Sequence, residues 1–243
     1  MAREYFTLTN TNDVHRSTRN NPDGSQVYAL DGDDKVWGSD GPDLIWGNDG
    51  NDSIFGYAGN DLLRGLRGND FMMGGDGDDR LYGHLGNDNL WGQNGNDSII
   101  CDPGNDRAYG NDGNDYVDGG YGDDVLYGGR DQDTLKGGHG DDVLSGGDGN
   151  DRLEDEAGTT TFFGGRGADT FVISREQRNS VIRDFKHSGD RIIVENLRGV
   201  QAGWDGRDFS WSRNGETIVT IENMMDLIDN RSLRLAQGGF TIA

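Results

Sequence analysis

From Ala29 to Val172 the chain alternates apolar and polar positions with a period of nine. Divided on that period, the stretch forms sixteen consecutive repeats with no insertion or deletion, among them Gly47–Phe55 (GNDGNDSIF), Gly56–Arg64 (GYAGNDLLR) and Gly137–Ser145 (GGHGDDVLS). Position 8 is apolar in all of them, from Val36, Ile45 and Ile54 to Phe162 and Phe171. Position 4 is Gly except at Asp131, position 6 is Asp except at Thr160, and every glycine of the stretch falls at position 1, 2 or 4. Self-similarity held in phase over this length sets the architecture before local propensity is consulted. Positions 1–6, rich in Gly, Asn and Asp, predict a tight turn with residues at positive φ. Positions 7–9 predict a short strand whose position 8 side chain points opposite to its neighbours. Two repeats then make one coil, with strands on opposite sides and the position 8 side chains meeting between them. Eight coils at about 4.8 Å give a rod on the order of 40 Å long.

The flanks lack this rhythm. Residues 1–28 predict an N-terminal cap over the open end of the solenoid, with a strand near Tyr5, Phe6 and Leu8 and a turn at Asn20–Gly24. Residues 173–243 predict a β-rich C-terminal cap. Its strands are expected at Val181–Phe185, Arg191–Glu195, Phe209–Trp211, Thr217–Glu222 and Ser232–Leu235, with a hairpin turn at Asn214-Gly215 and one helical turn in Glu222–Asp229.

Charge sharpens the picture. The formal net charge is −22, and the repeats hold all of it, because acids and bases balance in the flanks. That disfavours nucleic acid and favours cations. The position 6 aspartates stack, since repeats two apart lie on the same side. One column is Asp34, Asp52, Asp70, Asp88, Asp106, Asp124 and Asp142; the other is Asp43, Asp61, Asp79, Asp97, Asp115, Asp133, Asp151 and Asp169. Two unit charges about 5 Å apart repel by roughly 3 kcal/mol at an effective dielectric of 20, so something positive is expected between the turns. Ca²⁺ suits such a place: it takes six to eight hard oxygens in tolerant geometry, backbone carbonyls included, whereas Mg²⁺ resists dehydration. Zn²⁺ does not fit one cysteine and four scattered histidines, His15, His84, His139 and His187. The lone Cys101, standing where most repeats have Gly, is read as structural and allows no intramolecular disulfide.

The nonapeptides resemble the Gly-Gly-x-Gly-x-Asp-x-apolar-x repeats of repeats-in-toxin (RTX) proteins, and GGRGADTFVI (Gly164–Ile173), VIRDF (Val181–Phe185) and GDRIIVE (Gly189–Glu195) resemble the segment that closes the roll in secreted members of the serralysin type. The resemblance implies an all-β, right-handed parallel β-roll with Ca²⁺ in the turns. It also implies that carbonyls at positions 1 and 3 join the position 6 carboxylates as ligands. Those are Gly38 and Asp40, Gly47 and Asp49, Gly56 and Ala58, Gly65 and Arg67, Gly74 and Asp76, Gly83 and Leu85, and Gly92 and Asn94. They continue with Gly110 and Asp112, Gly119 and Tyr121, Gly128 and Arg130, Gly137 and His139, Gly146 and Asp148, and Gly164 and Arg166. On the order of a dozen ions are expected, with gaps near Asp131 and Thr160. Position 2 departs from the pattern at Ser39, Asn48, Tyr57, Leu66 and His84, among others, and the repeat Asp155–Phe163 has lost both its leading Gly and its Asp. If folding and binding are one event, the chain is unfolded where Ca²⁺ is scarce and folds outside the cell. The resemblance further implies type I secretion through a C-terminal signal, for which Gly238–Ala243 is the candidate. The N-terminus shows no secretory apolar run, and no stretch is long enough to span a bilayer.

Position 9 points outward. In the odd-numbered repeats it reads Trp37, Phe55, Met73, Trp91, Tyr109 and Tyr127, an aromatic ladder. Such a ladder stabilises neighbouring strands or offers a surface to a polysaccharide or cell-surface partner. No catalytic signature is present: no His-Glu-x-x-His, no Gly-x-Ser-x-Gly and no phosphate loop. Asp184, Asp190 and Glu195 are read as turn and edge charges. The leading expectation is a secreted, non-enzymatic Ca²⁺-binding β-roll with a structural or adhesive role. The alternatives are a polysaccharide-binding module similar to those attached to alginate epimerases, and the non-catalytic C-terminal part of an RTX enzyme or toxin.

Overall fold

Position 8 dictates the fold. Its side chains, from Val36 to Phe171, are all fully buried and form a single file along the axis of a two-sheet solenoid. The computed structural model describes residues 2–186, 189–194, 200–204, 208–222, 233–236 and 239–242, and among these there is no helix. Even-numbered repeats feed one sheet of eleven strands, odd-numbered repeats a second of thirteen. Neighbours are parallel and in register two repeats apart, as in Ile45↔Leu63 and Ile54↔Met72.

The strands are longer than the composition implies. Leu44–Asp49 and Ser53–Ala58 each take positions 7–9 of one repeat and positions 1–3 of the next, leaving only positions 4–6 for the turn. The strand passes through position 2 although the residue there is left-handed: Asn48 has φ +79°, Tyr57 +83° and Leu66 +83°. Pairing survives this, since Asn48 lies opposite Leu66. The inward side of the strand therefore carries two positions, 8 and 1. Two strands stop short: Lys35–Trp37 ends before repeat two, and Ser98–Ile100 ends before repeat nine, where Pro103, which lacks an N–H, keeps only an isolated bridge to Tyr121.

The solenoid has about ten turns rather than eight, because both flanks add to it. Glu4–Thr7 and Val14–Arg16 pair in parallel with Ser25–Asp31 and Lys35–Trp37. Their offset is 21 residues (Glu4↔Ser25, Val14↔Lys35), so a nine-residue period cannot detect them. At the other end Ser180–Ile182 and Arg191–Val194 continue the two sheets. Glu216–Ile221 then joins in parallel and leads an antiparallel meander with Phe209–Arg213 and Val200–Trp204. Asn214 (φ +53°) and Gly215 (φ +85°) make the expected hairpin turn, and Trp211 is buried with Phe209 and Val219. Leu233–Ala236 pairs with Gly239–Ile242. Beyond Glu222, the expected helical turn lies outside the described residues, as do Gly238 and Ala243 of the candidate export signal.

Candidate metal centre

The turns place the position 6 aspartates in two continuous columns inside the solenoid wall, each residue at most 3% exposed. Except at Asp43, each carboxylate is held the same way. Its Oδ1 accepts the backbone N–H of the aspartate one coil earlier, at 2.6–3.0 Å, from Asp34 N–H to Asp52 through to Asp151 N–H to Asp169. Its Oδ2 has no partner. Fourteen of these buried oxygens are orphaned: Asp34, Asp52, Asp61, Asp70, Asp79, Asp88, Asp97, Asp106, Asp115, Asp124, Asp133, Asp142, Asp151 and Asp169. A buried carboxylate oxygen with no donor carries its full desolvation cost, and here the cost recurs in every turn.

What the orphaned oxygens face is the position 1 glycine. A methyl carbon placed on Gly47 would lie 2.2 Å from Asp52 Oδ2 and 2.9 Å from the Gly65 carbonyl oxygen of the next coil. On Gly56 it would lie 2.1 Å from Asp61 Oδ2 and 2.5 Å from the Gly74 carbonyl; on Gly74, 2.2 Å from Asp79 Oδ2 and 2.9 Å from the Gly92 carbonyl. Gly110 and Gly119 repeat the arrangement with Asp115 and Asp124 and the carbonyls of Gly128 and Gly137. Glycine at position 1 thus leaves a cradle, about one atom wide, lined by a carboxylate oxygen and a carbonyl. Both oxygens are hard donors of the kind Ca²⁺ takes. The position 3 carbonyls stand beside the turns, each accepting a strand-type bond from the position 4 N–H of the coil before. Gly50 N–H to Arg67 O is 2.9 Å, and a second lone pair remains. Among the described residues no three Asp, Glu, His or Cys side chains converge on one point. An ion in a cradle therefore needs the carbonyls.

Electrostatics agree. Burial pushes the carboxyls of Asp61, Asp70, Asp106 and Asp133 up to about 8, and those of Asp52, Asp88, Asp115, Asp124 and Asp151 up to about 6. Stacked neighbours add repulsion, as Asp79 and Asp43 do for Asp61, while the donated backbone N–H opposes the rise. The columns need either protons or a cation. A hard divalent ion fits the donor set.

Each end of the columns closes differently. Asp43, in repeat two, is satisfied without an ion: the Ser39 backbone N–H reaches its Oδ2 at 2.6 Å and the Ser39 hydroxyl its Oδ1 at 2.9 Å. Asp13 extends the first column, its N–H donating to Asp34 Oδ1 while Thr9 caps its Oδ2. Asp190 extends the second, accepting the Asp169 N–H on Oδ1 and the Lys186 N–H on Oδ2. Sequence periodicity misses both because each lies 21 residues from its neighbour. Asp184 instead accepts the N–H groups of Gly164 and Gly165, a turn role; Glu195 lies outside the described residues. No gap appears at Asp131: Asp133 keeps its orphaned Oδ2, 2.3 Å from a methyl carbon placed on Gly128. Cys101 fills the cradle of repeat nine. Burial, with Asp106 and Asp124 nearby, pushes its thiol well up, so it stays protonated and inert.

The aromatic ladder spends its ring faces on itself. Trp37 stacks on Phe55 (5.5 Å, 8°), Trp91 on Tyr109 (5.0 Å, 7°) and Tyr109 on Tyr127 (4.9 Å, 6°). Phe71, from position 7, bridges Phe55 and Trp91 across the gap at Met73. The Arg16 guanidinium covers the outer face of Trp37 at 4.3 Å. Tyr127, at the far end of the stack, stays 38% exposed.

A parallel β-roll with glycine cradles set against two columns of orphaned aspartate oxygens defines a calcium-binding repeat protein. Four copies of the RTX calcium-binding nonapeptide repeat model match residues 28–63, 64–99, 102–135 and 136–171, well over half of the chain. The chain belongs to that family. The break in the match at residues 100–101 falls where the strand Ser98–Ile100 stops short of repeat nine. No curated protein matches the chain.

Proposed function

We propose that this chain is a secreted, non-enzymatic β-roll that folds as Ca²⁺ enters its turns outside the cell, and that it serves there as a structural or adhesive element. The observation that carries this reading is the row of fourteen buried Oδ2 atoms with no partner, twelve of them set against the position 1 glycine of a turn. The aspartates of both columns would supply the charge. The position 1 and position 3 carbonyls, such as those of Gly56 and Ala58 or Gly74 and Asp76, would complete the shell. About a dozen ions follow from the number of cradles, with Ala29, Cys101 and Asp155 standing in place of Gly. Residues 1–28 and 173–243 act as end caps on the roll of 29–172, and the C-terminal cap carries the signal read by a type I exporter. Export as an unfolded chain and folding in millimolar Ca²⁺ are two sides of the same coupling. Because the ladder rings cover each other's faces, the stack from Trp37 to Tyr127 serves the sheet first, and binding of a polysaccharide has no separate observation in its favour.

The test is a Ca²⁺ titration of chelator-stripped protein, followed by far-UV circular dichroism with calorimetric counting of bound ions. A coil-to-β transition with about a dozen ions taken up together is the expected result. A chain fully folded without Ca²⁺ would sink the proposal.

A further inference from the structure

Repeat fifteen, Asp155–Phe163, breaks the motif twice, with Asp at position 1 and Thr160 at position 6. The two changes are linked in the structure. Position 1 faces inward, so Asp155 points into the wall and is 1% exposed. Its Oδ2 accepts the Thr160 hydroxyl and the Gln177 side-chain amide, the latter at 2.9 Å. Its Oδ1 makes no hydrogen bond of normal geometry, although the Gly138 N–H and the Asp142 carboxyl lie near enough to favour its charged form. That oxygen is aimed at the cradle of the preceding coil: a methyl carbon on Gly137 would lie 2.5 Å from Asp142 Oδ2, also orphaned, and 2.6 Å from Asp155 Oδ1. At Gly38, Gly56 or Gly74 the second oxygen of the cradle is a position 1 carbonyl, at 2.5–2.9 Å. In repeat thirteen a side-chain carboxylate takes its place.

We propose that Asp142 and Asp155 together form a distinct divalent-cation site, the last one in their column, in which two carboxylates replace the usual carboxylate–carbonyl pair. This rests on the reading of the columns as Ca²⁺ sites. Moving the acid from position 6 to position 1 shifts it one coil back, so that repeat fifteen serves the cradle before it and none after it. The wall beyond closes without charge: the Thr160 N–H donates to the Ser180 hydroxyl at 3.1 Å, and the Asp142 N–H turns to the Thr159 carbonyl at 3.1 Å, having no position 6 carboxylate to meet. Asp155 is thus a ligand and a terminator at once. A proton shared between the two carboxylates is the competing arrangement, and a count of ions separates the two.

The experiment is native mass spectrometry of the full chain at saturating Ca²⁺, with far-UV circular dichroism on the same samples. Asp155→Asn keeps an acceptor for Thr160 and Gln177 while removing the charge, and it is expected to fold like the wild type and bind one ion fewer. Asp155→Ala, which removes the carboxylate without restoring the motif glycine, is expected to show the same loss and serves if the Asn variant packs poorly. The double variant Asp155→Gly/Thr160→Asp returns the acid to position 6 and is expected to regain the ion. An unchanged count in both single variants, with the wild type binding many ions, overturns the Asp142–Asp155 site alone. A wild type that binds none overturns the broader reading with it.

Discussion

Asp61 is representative of the residues that decide this protein. The residue is 2% exposed, its carboxylate accepts the Asp43 N–H through one oxygen only, and its carboxyl is pushed up to about 8 chiefly by burial. A group whose folded pKa exceeds its unfolded value stabilises the fold below the unfolded value and loses that contribution as pH rises through the folded one. The metal-free roll is therefore expected to gain β signal as pH falls from 8 toward 4. The midpoint of the Ca²⁺ transition should move to higher Ca²⁺ over the same descent, because the ion must displace protons. Circular dichroism at several pH values checks both, and a midpoint independent of pH would contradict the raised carboxyls. The glycine facing the aspartate is equally constrained. In Gly56→Ala the new methyl would lie 2.1 Å from Asp61 Oδ2; the variant should bind at least one ion fewer and lose about 1–3 kcal/mol of Ca²⁺-loaded stability, measured by chemical denaturation. Leu66→Gly, at φ +83°, should change stability by less than about 1 kcal/mol, since the relief of left-handed strain is offset by greater freedom of the unfolded chain. Most of this was legible in advance, because a residue that must be Asp or Gly in every repeat announces its own constraint. Asp155 was not, because its role depends on a cradle 18 residues earlier.

One strand of the roll has no stable existence by itself; it borrows a ladder from the strands 18 residues to either side. The same spacing aligns position 9 rings into stacks and exposed Asn and Asp side chains into a second ladder, as where Asn51 Oδ1 accepts the Asn69 N–H at 2.7 Å. Trp91 sits at the middle of the aromatic stack, between Phe71 and Tyr109. Trp91→Ala should cost about 0.5–1.5 kcal/mol for each lost ring contact beyond the area uncovered, and thermal unfolding in saturating Ca²⁺ measures it, with the ion count unchanged. A variant that unfolds at the wild-type temperature would mean the stack is not structural, and would return interest to a ligand surface. The strand lengths escaped sequence reading for a related reason. Gly, Asn and Asp at positions 1–3 favour turns locally, yet the ladder from neighbouring coils holds them extended, with only position 2 left-handed.

At the scale of the molecule, the roll is a stack whose ends must be closed. Glu4–Thr7 and Val14–Arg16 cover the first strands of both sheets, and Asp13 finishes a carboxylate column with hydrogen bonds from Thr9 in place of an ion. Removing residues 1–24 should bare two strand edges, and light scattering is expected to show Ca²⁺-dependent association of the shortened chain; a monomer would mean that repeat one closes itself. The sequence by itself determined the period, the single-file core, the two aspartate columns and the need for a hard cation, because each follows from residues repeated in phase. Tertiary structure alone decided the rest. It placed the end coils, whose 21-residue spacing breaks the period, and the mutual covering of the ring faces. It also brought Asp155 to Asp142, thirteen residues apart in the chain and adjacent only once the solenoid has wound.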